Sequence, residues 1–220
     1  MIYFISDTHF NHKNIIKYCN RHFDNVEQMN ETLIKNWNEV ISNTDTIYHL
    51  GDFALGNKDE ILNIFSKLNG NKYLIRGNHD KWSANTYENF GFNVLKNAPI
   101  RLDEYKLLLS HIPVPDIQIP KGFINIHGHI HNKKLYECIE KYDPKYYSLE
   151  RHINISCDVT DFKPISIEKL IEITKSVQNL IIEDKKDIRK KLKDGIKDSE
   201  NGNVCSLDEA FIEIESILSN

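Results

Sequence analysis

The 220-residue sequence lacks the features that would place it in a membrane or in an oxidising compartment. No stretch approaches the roughly 18 consecutive apolar residues that a membrane-spanning helix requires. The amino-terminal segment 1–7 has no basic region, which argues against a signal peptide. The cysteines Cys19, Cys138, Cys157 and Cys205 include no CxxC pair, so we expect reduced thiols rather than disulfides or a zinc knuckle. Together these absences predict a cytoplasmic protein.

An excess of basic residues is also missing. The chain has 28 Lys and Arg against 32 Asp and Glu, which gives a formal net charge of −4. Non-specific nucleic-acid binding depends on clustered Lys and Arg, so we expect no stable nucleic-acid partner, and no membrane partner either. Hydrophobic residues make up 40% of the chain, and ten Phe and ten Tyr can fill a sizeable core. The composition therefore predicts a globular protein with one main domain.

Short apolar runs alternate with amphipathic helical patterns through residues 1–173. Helices are predicted over residues 26–41 and 59–68, where apolar residues recur at helical spacing. Strands are predicted over residues 2–6, 46–50, 72–75, 106–110, 123–126 and 153–156. This alternation is typical of an α/β fold.

The composition changes near residue 173. Beyond it the chain is rich in charge and carries only a thin apolar stripe, and a capping box formed by Ser206 and Glu209 predicts a last helix. We therefore predict a main domain over residues 1–173 and a helical hairpin extension over residues 174–220. We expect the apolar stripe of the extension to dock on the main domain or, alternatively, to form a homodimer contact.

Polar side chains follow the ends of five predicted strands. The blocks are Asp7-Thr8-His9, Gly51-Asp52, Gly77-Asn78-His79-Asp80, Ser110-His111 and Gly128-His129-Ile130-His131. In open α/β sheets, ligands bind in the crevice beyond the carboxyl ends of the strands. Carboxylate, imidazole and carboxamide groups without a thiolate suit manganese, iron, nickel or zinc. About seven candidate ligands are too many for one tetrahedral zinc ion, so they predict two ions that share a bridging carboxylate.

In this order, the blocks D-x-H, G-D, G-N-H-D, H and G-H-x-H resemble those of the calcineurin-like metallophosphoesterases. The resemblance covers residues 1–173 and implies two facing mixed β-sheets flanked by helices. It implies two divalent metal ions, for which we expect manganese, with iron, nickel or zinc as alternatives. The implied ligands are Asp7, His9 and His131 for the first ion, Asn78, His111 and His129 for the second, and Asp52 as the bridge.

The resemblance also implies a catalytic pair. His79 would face the substrate and protonate the leaving oxygen, Asp80 would hold the His79 ring, and a metal-bridged hydroxide would attack phosphorus. Taken singly, several of these residues have structural alternatives: an Asp can cap a helix, Asn78 can form a turn, and His111 can lie on the surface. We expect His127, which precedes the last block on a strand, to lie in the core or behind the ligands.

Three further residues are candidates for binding the substrate. His12 and Asn14 follow the first block, with a plain loop or capping role as the alternative. Arg76 could reach a phosphate or form a structural ion pair. The tyrosine-rich segment 133–151 could cover the cleft or pack on the sheet edge. We expect the segment that begins at Asp158 to be structural.

The predicted function is metal-dependent hydrolysis of a phosphate ester. A large capping domain has little room in this chain, so we expect an open cleft and a phosphodiesterase that acts on small or nucleotide-like diesters. The alternative is a phosphomonoesterase or nucleotide phosphatase. A DNA-processing nuclease would need a basic groove and accessory domains, and neither is evident. The last alternative is a metal-binding scaffold protein without activity. Scaffold proteins of this fold have lost the catalytic site, whereas all five sequence blocks are present here.

Overall fold

Two β-sheets form the centre of the fold in a computed structural model that describes residues 1–138, 143 and 145–200. The strands are β1 (Ile2–Ile5), β2 (Thr46–His49), β3 (Asn71–Leu74), β4 (Asn93–Val94), β5 (Ile100–Leu102), β6 (Leu107–Leu109), β7 (Ile124–His127), β8 (His152–Asn154) and β9 (Ile165–Ser166). One sheet has the order β4-β3-β2-β1-β9 and the other has the order β5-β6-β7-β8. The strand pairs are parallel except for β1 with β9 and β5 with β6. The predicted α/β fold with two mixed sheets is confirmed.

Helices flank the sheets. They are α1 (Ile15–Tyr18), α2 (Val26–Val40), α3 (Lys58–Phe65), α4 (Ala84–Phe90) and α5 (Ile167–Glu200). Short 3₁₀ helices span Asp116–Gln118, Leu135–Cys138, Leu149–Arg151 and Cys157–Val159. Helix α2 begins where the Asn25 side chain accepts a hydrogen bond from the Gln28 amide, and α3 begins with a complete capping box between Asn57 and Glu60.

The alternation of side chains along β1 divides the core into two layers. Phe4 packs in a cluster with Leu109 and Ile126, so this layer takes side chains from both sheets. Its neighbour Ile5 points to the other face and joins the cluster that contains Trp37 of α2. A parallel bridge between Ser6 and Ser156 brings the two sheets together just beyond β1. This arrangement gathers the loops that follow the strands of both sheets.

The predicted boundary at residue 173 falls inside one helix, because α5 continues from Ile167 to Glu200. By its contacts, the chain divides into the units Met1–Lys175 and Ser176–Asn220. In the second unit the described residues belong to α5, where Asp187 and Lys191 form an ion pair of 3.0 Å one helical turn apart. The predicted helix that begins at Ser206, and with it the hairpin and its homodimer contact, lies outside the described residues.

Of the helices in the described part of the chain, none has the length and apolar composition of a membrane span.

Candidate metal centre

Most of the candidate ligands adopt a left-handed backbone conformation just after a strand. The φ angles are 57° at Asp7, 49° at His9, 56° at Asp52, 71° at His129 and 52° at His131. Residues with a Cβ atom rarely adopt this conformation, so the surrounding structure has to hold it. The Asp7 amide donates to the Gly51 carbonyl and the His9 amide donates to the Asp52 carbonyl, both at 3.0 Å. The loops after β1 and β2 therefore fix each other.

A first group of potential ligands consists of Asp7, His9 and His131. One ligand atom from each residue lies within 4.8 Å of the other two. The His131 Nε2 atom lies 4.0 Å from Asp7 Oδ1, and the His131 ring stacks on the His9 ring with 5.2 Å between centroids. The structure thus brings together the three residues that the sequence predicted for one ion.

A second group consists of Asp7, Asp52 and His111, whose ligand atoms also lie within 4.8 Å of one another. His111 Nδ1 is 2.9 Å from the Leu50 carbonyl, which assigns the ring proton to Nδ1 and leaves a lone pair on Nε2. That Nε2 atom lies 3.0 Å from Asn78 Oδ1 and 3.2 Å from His129 Nδ1. The residues predicted for the other ion therefore also meet at one point.

Asp52 lies between the two groups. Its Oδ2 atom is 3.5 Å from His9 Nε2 and 3.5 Å from His111 Nε2. Burial opposes the ionisation of Asp52, but hydrogen bonding and charge at His111, aided by His9, lower the pKa of this carboxyl below its ordinary value. A Cβ atom at Gly77 would overlap the Asp52 carboxylate, so this close approach requires glycine.

The donor set fits divalent cations. The buried His9 Nε2 atom has no hydrogen-bond partner, although it faces the Asp52 carboxylate. Desolvation lowers the pKa of His9 to about 2, which keeps its imidazole neutral and able to bind a metal ion. Two clusters of carboxylate oxygens and imidazole nitrogens are what one or two ions of the first transition row would satisfy.

Asp80 has partners other than those expected from the sequence. Its Oδ2 atom accepts from the Asp52 amide at 2.8 Å and the Gly77 amide at 2.7 Å, and its Oδ1 atom accepts from the Phe53 amide at 3.0 Å. The Tyr87 hydroxyl donates to Oδ1 at 3.2 Å. Burial raises the pKa of Asp80 to about 6, while the amide donors act against this shift. Through these contacts Asp80 ties the Asp52 loop to the Gly77 loop, and its role in holding the neighbouring histidine ring stays a prediction.

His79 presents an exposed ring beside the two groups. Its amide donates to Asp52 Oδ1 at 2.8 Å, and its ring centroid lies 5.3 Å from that of His9 and 6.2 Å from that of His12. The main chain of His79 is thus anchored to the central carboxylate, while its imidazole stays accessible to a ligand.

A cavity of about 430 Å³ opens beside these histidines. It is lined by His9, His12, Ile15, Tyr18, Cys19, His79, His129, Ile130, His131, Asn132, Lys133 and Cys138. His12 Nδ1 lies 3.2 Å from His9 Nδ1, so His12 links the cavity to a candidate ligand. The cavity combines imidazole groups on one side with an apolar wall on the other.

The other predicted substrate residues lie elsewhere. Asn14 is exposed at the start of α1, and Arg76 donates from Nη1 to the Trp82 carbonyl at 3.0 Å; neither lines the cavity. In the tyrosine-rich segment, Tyr147 packs against the cluster of Ile130 and Leu135. Tyr142 lies outside the described residues.

Several supporting residues were missed by the sequence analysis. His49 Nδ1 accepts from the Gly51 amide at 3.2 Å, and its Nε2 lies 2.9 Å from the Thr8 hydroxyl. Desolvation lowers the pKa of His49 to about 3, so the ring is neutral. A histidine at the end of a buried strand is the only sequence signal for this role. His127, which we expected in the core or behind the ligands, was not among the missed residues; it is buried in β7, with its ring 5.7 Å from that of His152.

Arg21 and Asp158 form a further pair behind the site that the sequence analysis did not identify. Arg21 Nε donates to Asp158 Oδ1 at 2.7 Å, and Asp158 Oδ2 lies 2.9 Å from His131 Nδ1. Asp158, which we expected to be only structural, thus contacts a candidate ligand directly. No sequence motif marks this pair, because 137 positions separate its members.

Comparisons with known proteins give a consistent picture. A family model described as calcineurin-like phosphoesterase matches residues 1–188. The uncharacterized protein MJ1445 of Methanocaldococcus jannaschii is 42% identical over 184 residues, which is 81% of this chain and 96% of that protein. The Gene 66 protein of Mycobacterium phage L5 is 32% identical over 160 residues, 59% of this chain and 77% of that protein. The crystal structure of the protein of unknown function AQ665 from Aquifex aeolicus has a TM-score of 0.56 at 30% identity, and the match covers 79% of this chain and 98% of that one.

Proposed function

The chain belongs to the calcineurin-like phosphoesterase family, and we propose that it is a phosphodiesterase that cleaves small or nucleotide-like diesters with two divalent metal ions. Membership of the family makes it a metal-dependent hydrolase of phosphate esters. The observation that carries the proposal of two ions is the position of Asp52, whose Oδ2 atom is 3.5 Å from a nitrogen of each predicted ligand set. We propose manganese as the metal, with iron, nickel and zinc as the alternatives to test.

In this proposal, Asp7, His9 and His131 hold one ion, and Asn78, His111 and His129 hold the other, with Asp52 between them. When bound, such a pair of ions polarises the phosphoryl oxygens and lowers the pKa of water towards neutrality. The remaining chemistry belongs to the chain itself.

His79 is the proposed general acid. Its imidazole is exposed beside the cavity, whereas its amide is held by Asp52 Oδ1 at 2.8 Å. Because the same carboxylate lies between the two ligand sets, the main chain of His79 keeps a constant position relative to both sets. From there, His79 can donate a proton to the leaving ester oxygen.

The lining of the cavity supports a diester as substrate. Ile15, Tyr18 and Ile130 form an apolar wall beside the histidines, and Lys133 is the one Lys or Arg among the described lining residues. A diester carries a single negative charge and a second organic group, which suits one cation and an apolar wall. The volume of about 430 Å³ lies within the range of small-molecule sites, roughly 300–1,000 Å³.

The test is a comparison of bis-p-nitrophenyl phosphate with p-nitrophenyl phosphate as substrates of the protein loaded with Mn²⁺. We expect faster cleavage of the diester, together with loss of both metal and turnover in Asp52→Asn. The matched control is Asp103→Asn, because Asp103 is exposed and pairs only with Arg101 among its described contacts. Preferential cleavage of the monoester would overturn the diester proposal and favour a phosphatase. Turnover that survives Asp52→Asn would overturn the assignment of the site.

A further inference from the structure

A single guanidinium group lies behind the first group of candidate ligands. Arg21 follows α1, and its side chain is fully buried. Its Nη2 atom donates to the Asp7 carbonyl at 2.7 Å, and its Nη1 atom donates to the Thr8 carbonyl at 3.0 Å. These two carbonyls belong to the loop in which Asp7 and His9 have positive φ angles. Arg21 thus holds the main chain that carries two of the three candidate ligands.

The same guanidinium controls the third ligand through a carboxylate. Nε and Nη2 of Arg21 donate to the two oxygens of Asp158, at 2.7 Å and 3.0 Å. Asp158 Oδ2 in turn lies 2.9 Å from His131 Nδ1. Because Nδ1 carries the proton that this contact requires, the lone pair of the ring is on Nε2, which faces Asp7. A carboxylate that accepts from a ligating histidine in this way fixes both the tautomer and the orientation of its ring.

The contacts of Arg21 depend on the planar fork of its side chain. Besides the two carbonyls and Asp158, the guanidinium contacts Met29 Sδ at 3.4 Å and Cys157 Sγ at 3.3 Å, and it lies 5.5 Å from the centroid of the Phe162 ring. A lysine ammonium has the same charge but has three donors on one atom, so it cannot reach these partners at once. The site therefore requires arginine rather than a positive charge alone.

We propose that Arg21 is the positioning residue of the first metal site, acting on Asp7 and His9 through main-chain carbonyls and on His131 through Asp158. This inference rests on the proposed metal centre. The second ligand set has supports of its own, such as the contact of His111 with the Leu50 carbonyl. Asp7 also lies in the group with Asp52 and His111, whereas Asp158 acts on His131, so loss of Asp158 should weaken the first ion selectively and loss of Arg21 should weaken the first ion more than the second.

The experiment is a titration of the metal-free full-length protein with Mn²⁺. Binding is monitored by calorimetry and, in a parallel titration, by electron paramagnetic resonance. We expect two ions in the wild type and a magnetically coupled pair. In Arg21→Lys and in Asp158→Asn, we expect one ion to bind about 10- to 100-fold more weakly, the range for outer contacts of metal ligands, while the other is retained. At Mn²⁺ concentrations that fill only the stronger site, these variants should show the resonance signal of an isolated Mn²⁺ ion and not that of the coupled pair.

The matched controls are Arg101→Lys and Asp103→Asn. These two residues form an exposed ion pair, with 2.6 Å between Arg101 Nη2 and Asp103 Oδ1, and neither is a candidate ligand. Both should bind two ions as the wild type does. Unchanged affinities in the Arg21 and Asp158 variants, or an equal weakening of both ions, would overturn the inference, since equal weakening indicates general destabilisation. Asp158→Asn preserves shape and remains informative where Arg21→Lys fails to fold. A wild type that binds fewer than two ions would instead overturn the proposed metal centre.

Discussion

Substitution of Asp80 should primarily lower the stability of the protein and not the chemistry of His79. The Asp80 carboxylate accepts from the amides of Asp52, Phe53 and Gly77, and from the Tyr87 hydroxyl. Only 5% of the residue is exposed, so solvent cannot easily replace these partners. Its removal leaves several buried donors without an acceptor, which is the costly case for a hydrogen bond.

The magnitudes follow from the number of donors left unpaired, at about 1–3 kcal/mol each. Asp80→Ala orphans three amides and the Tyr87 hydroxyl, so roughly 4–12 kcal/mol is the upper range, a large part of the 5–15 kcal/mol typical of a whole domain. In Asp80→Asn, the remaining oxygen can serve Asp52 and Gly77, while the new NH₂ group faces the Phe53 amide. One orphaned amide predicts a loss of about 1–3 kcal/mol. Tyr87→Phe removes one net hydrogen bond, worth about 0.5–1.5 kcal/mol.

The assay is urea unfolding of the metal-free protein, with the free energy of unfolding obtained by linear extrapolation. We expect the loss of unfolding free energy to increase in the order Tyr87→Phe, Asp80→Asn, Asp80→Ala. For the first two variants, the dependence of the unfolding free energy on urea concentration should change little. An Asp80→Asn protein with the unfolding free energy of the wild type but a much lower turnover would refute this reasoning. Asp80 would then act through His79, as the family resemblance first implied.

Three other predictions concern the site, acid stability and the substrate. Gly128→Ala should abolish tight Mn²⁺ binding in calorimetry, because the new Cβ would overlap the Asp7 carboxylate; Gly122→Ala, whose Cβ would meet no atom within 4 Å beyond its chain neighbours, should lose some stability through its φ of 79° but retain Mn²⁺ binding. Although burial opposes its ionisation, hydrogen bonds from Ser148 and His152 lower the pKa of Asp116, so its stabilisation is present above pH ~4 and is lost as the pH falls further. Asp116→Asn should therefore show a weaker loss of stability as the pH falls below about 4 in acid titrations monitored by circular dichroism. Tyr18→Ala should raise KM for bis-p-nitrophenyl phosphate about 2- to 10-fold at similar kcat, since an aromatic contact contributes ~0.5–1.5 kcal/mol, whereas Tyr146→Ala, outside the cavity, should not.

The location of the candidate site could be predicted because its signals are local. Each ligand follows a strand within a few residues, so an apolar run and the polar block after it are enough to place Asp7 or Asp52. The contacts behind the ligands have no such signal. Arg21 and Asp158 meet across 137 positions, and neither belongs to a repeated or periodic pattern. Only the folded chain reveals that their charges lie together.

The fold also contains elements that the sequence predicts and elements that it does not. The six predicted strands coincide with strands of the structure, whereas β4, β5 and β9 were not predicted because two or three residues are too few for an alternating pattern. The charge-dense segment after residue 173 predicts a boundary, and the contacts of the chain divide it between Lys175 and Ser176, although α5 continues through this point from Ile167 to Glu200. A change in charge alters which solvent-facing residues a helix carries and does not by itself end the helix; capping residues or proline do that.

The left-handed backbone at the strand ends also has an evolutionary consequence. Five of the candidate ligands, Asp7, His9, Asp52, His129 and His131, have positive φ angles. At about 1–2 kcal/mol each, these conformations amount to roughly 5–10 kcal/mol of strain. Glycine would relieve it, with only ~0.5–1 kcal/mol lost to its greater backbone entropy. A lineage released from selection for hydrolysis would no longer need to hold this strain, although glycine in place of Asp7 or Asp52 would leave the His129 or His79 amide without its acceptor.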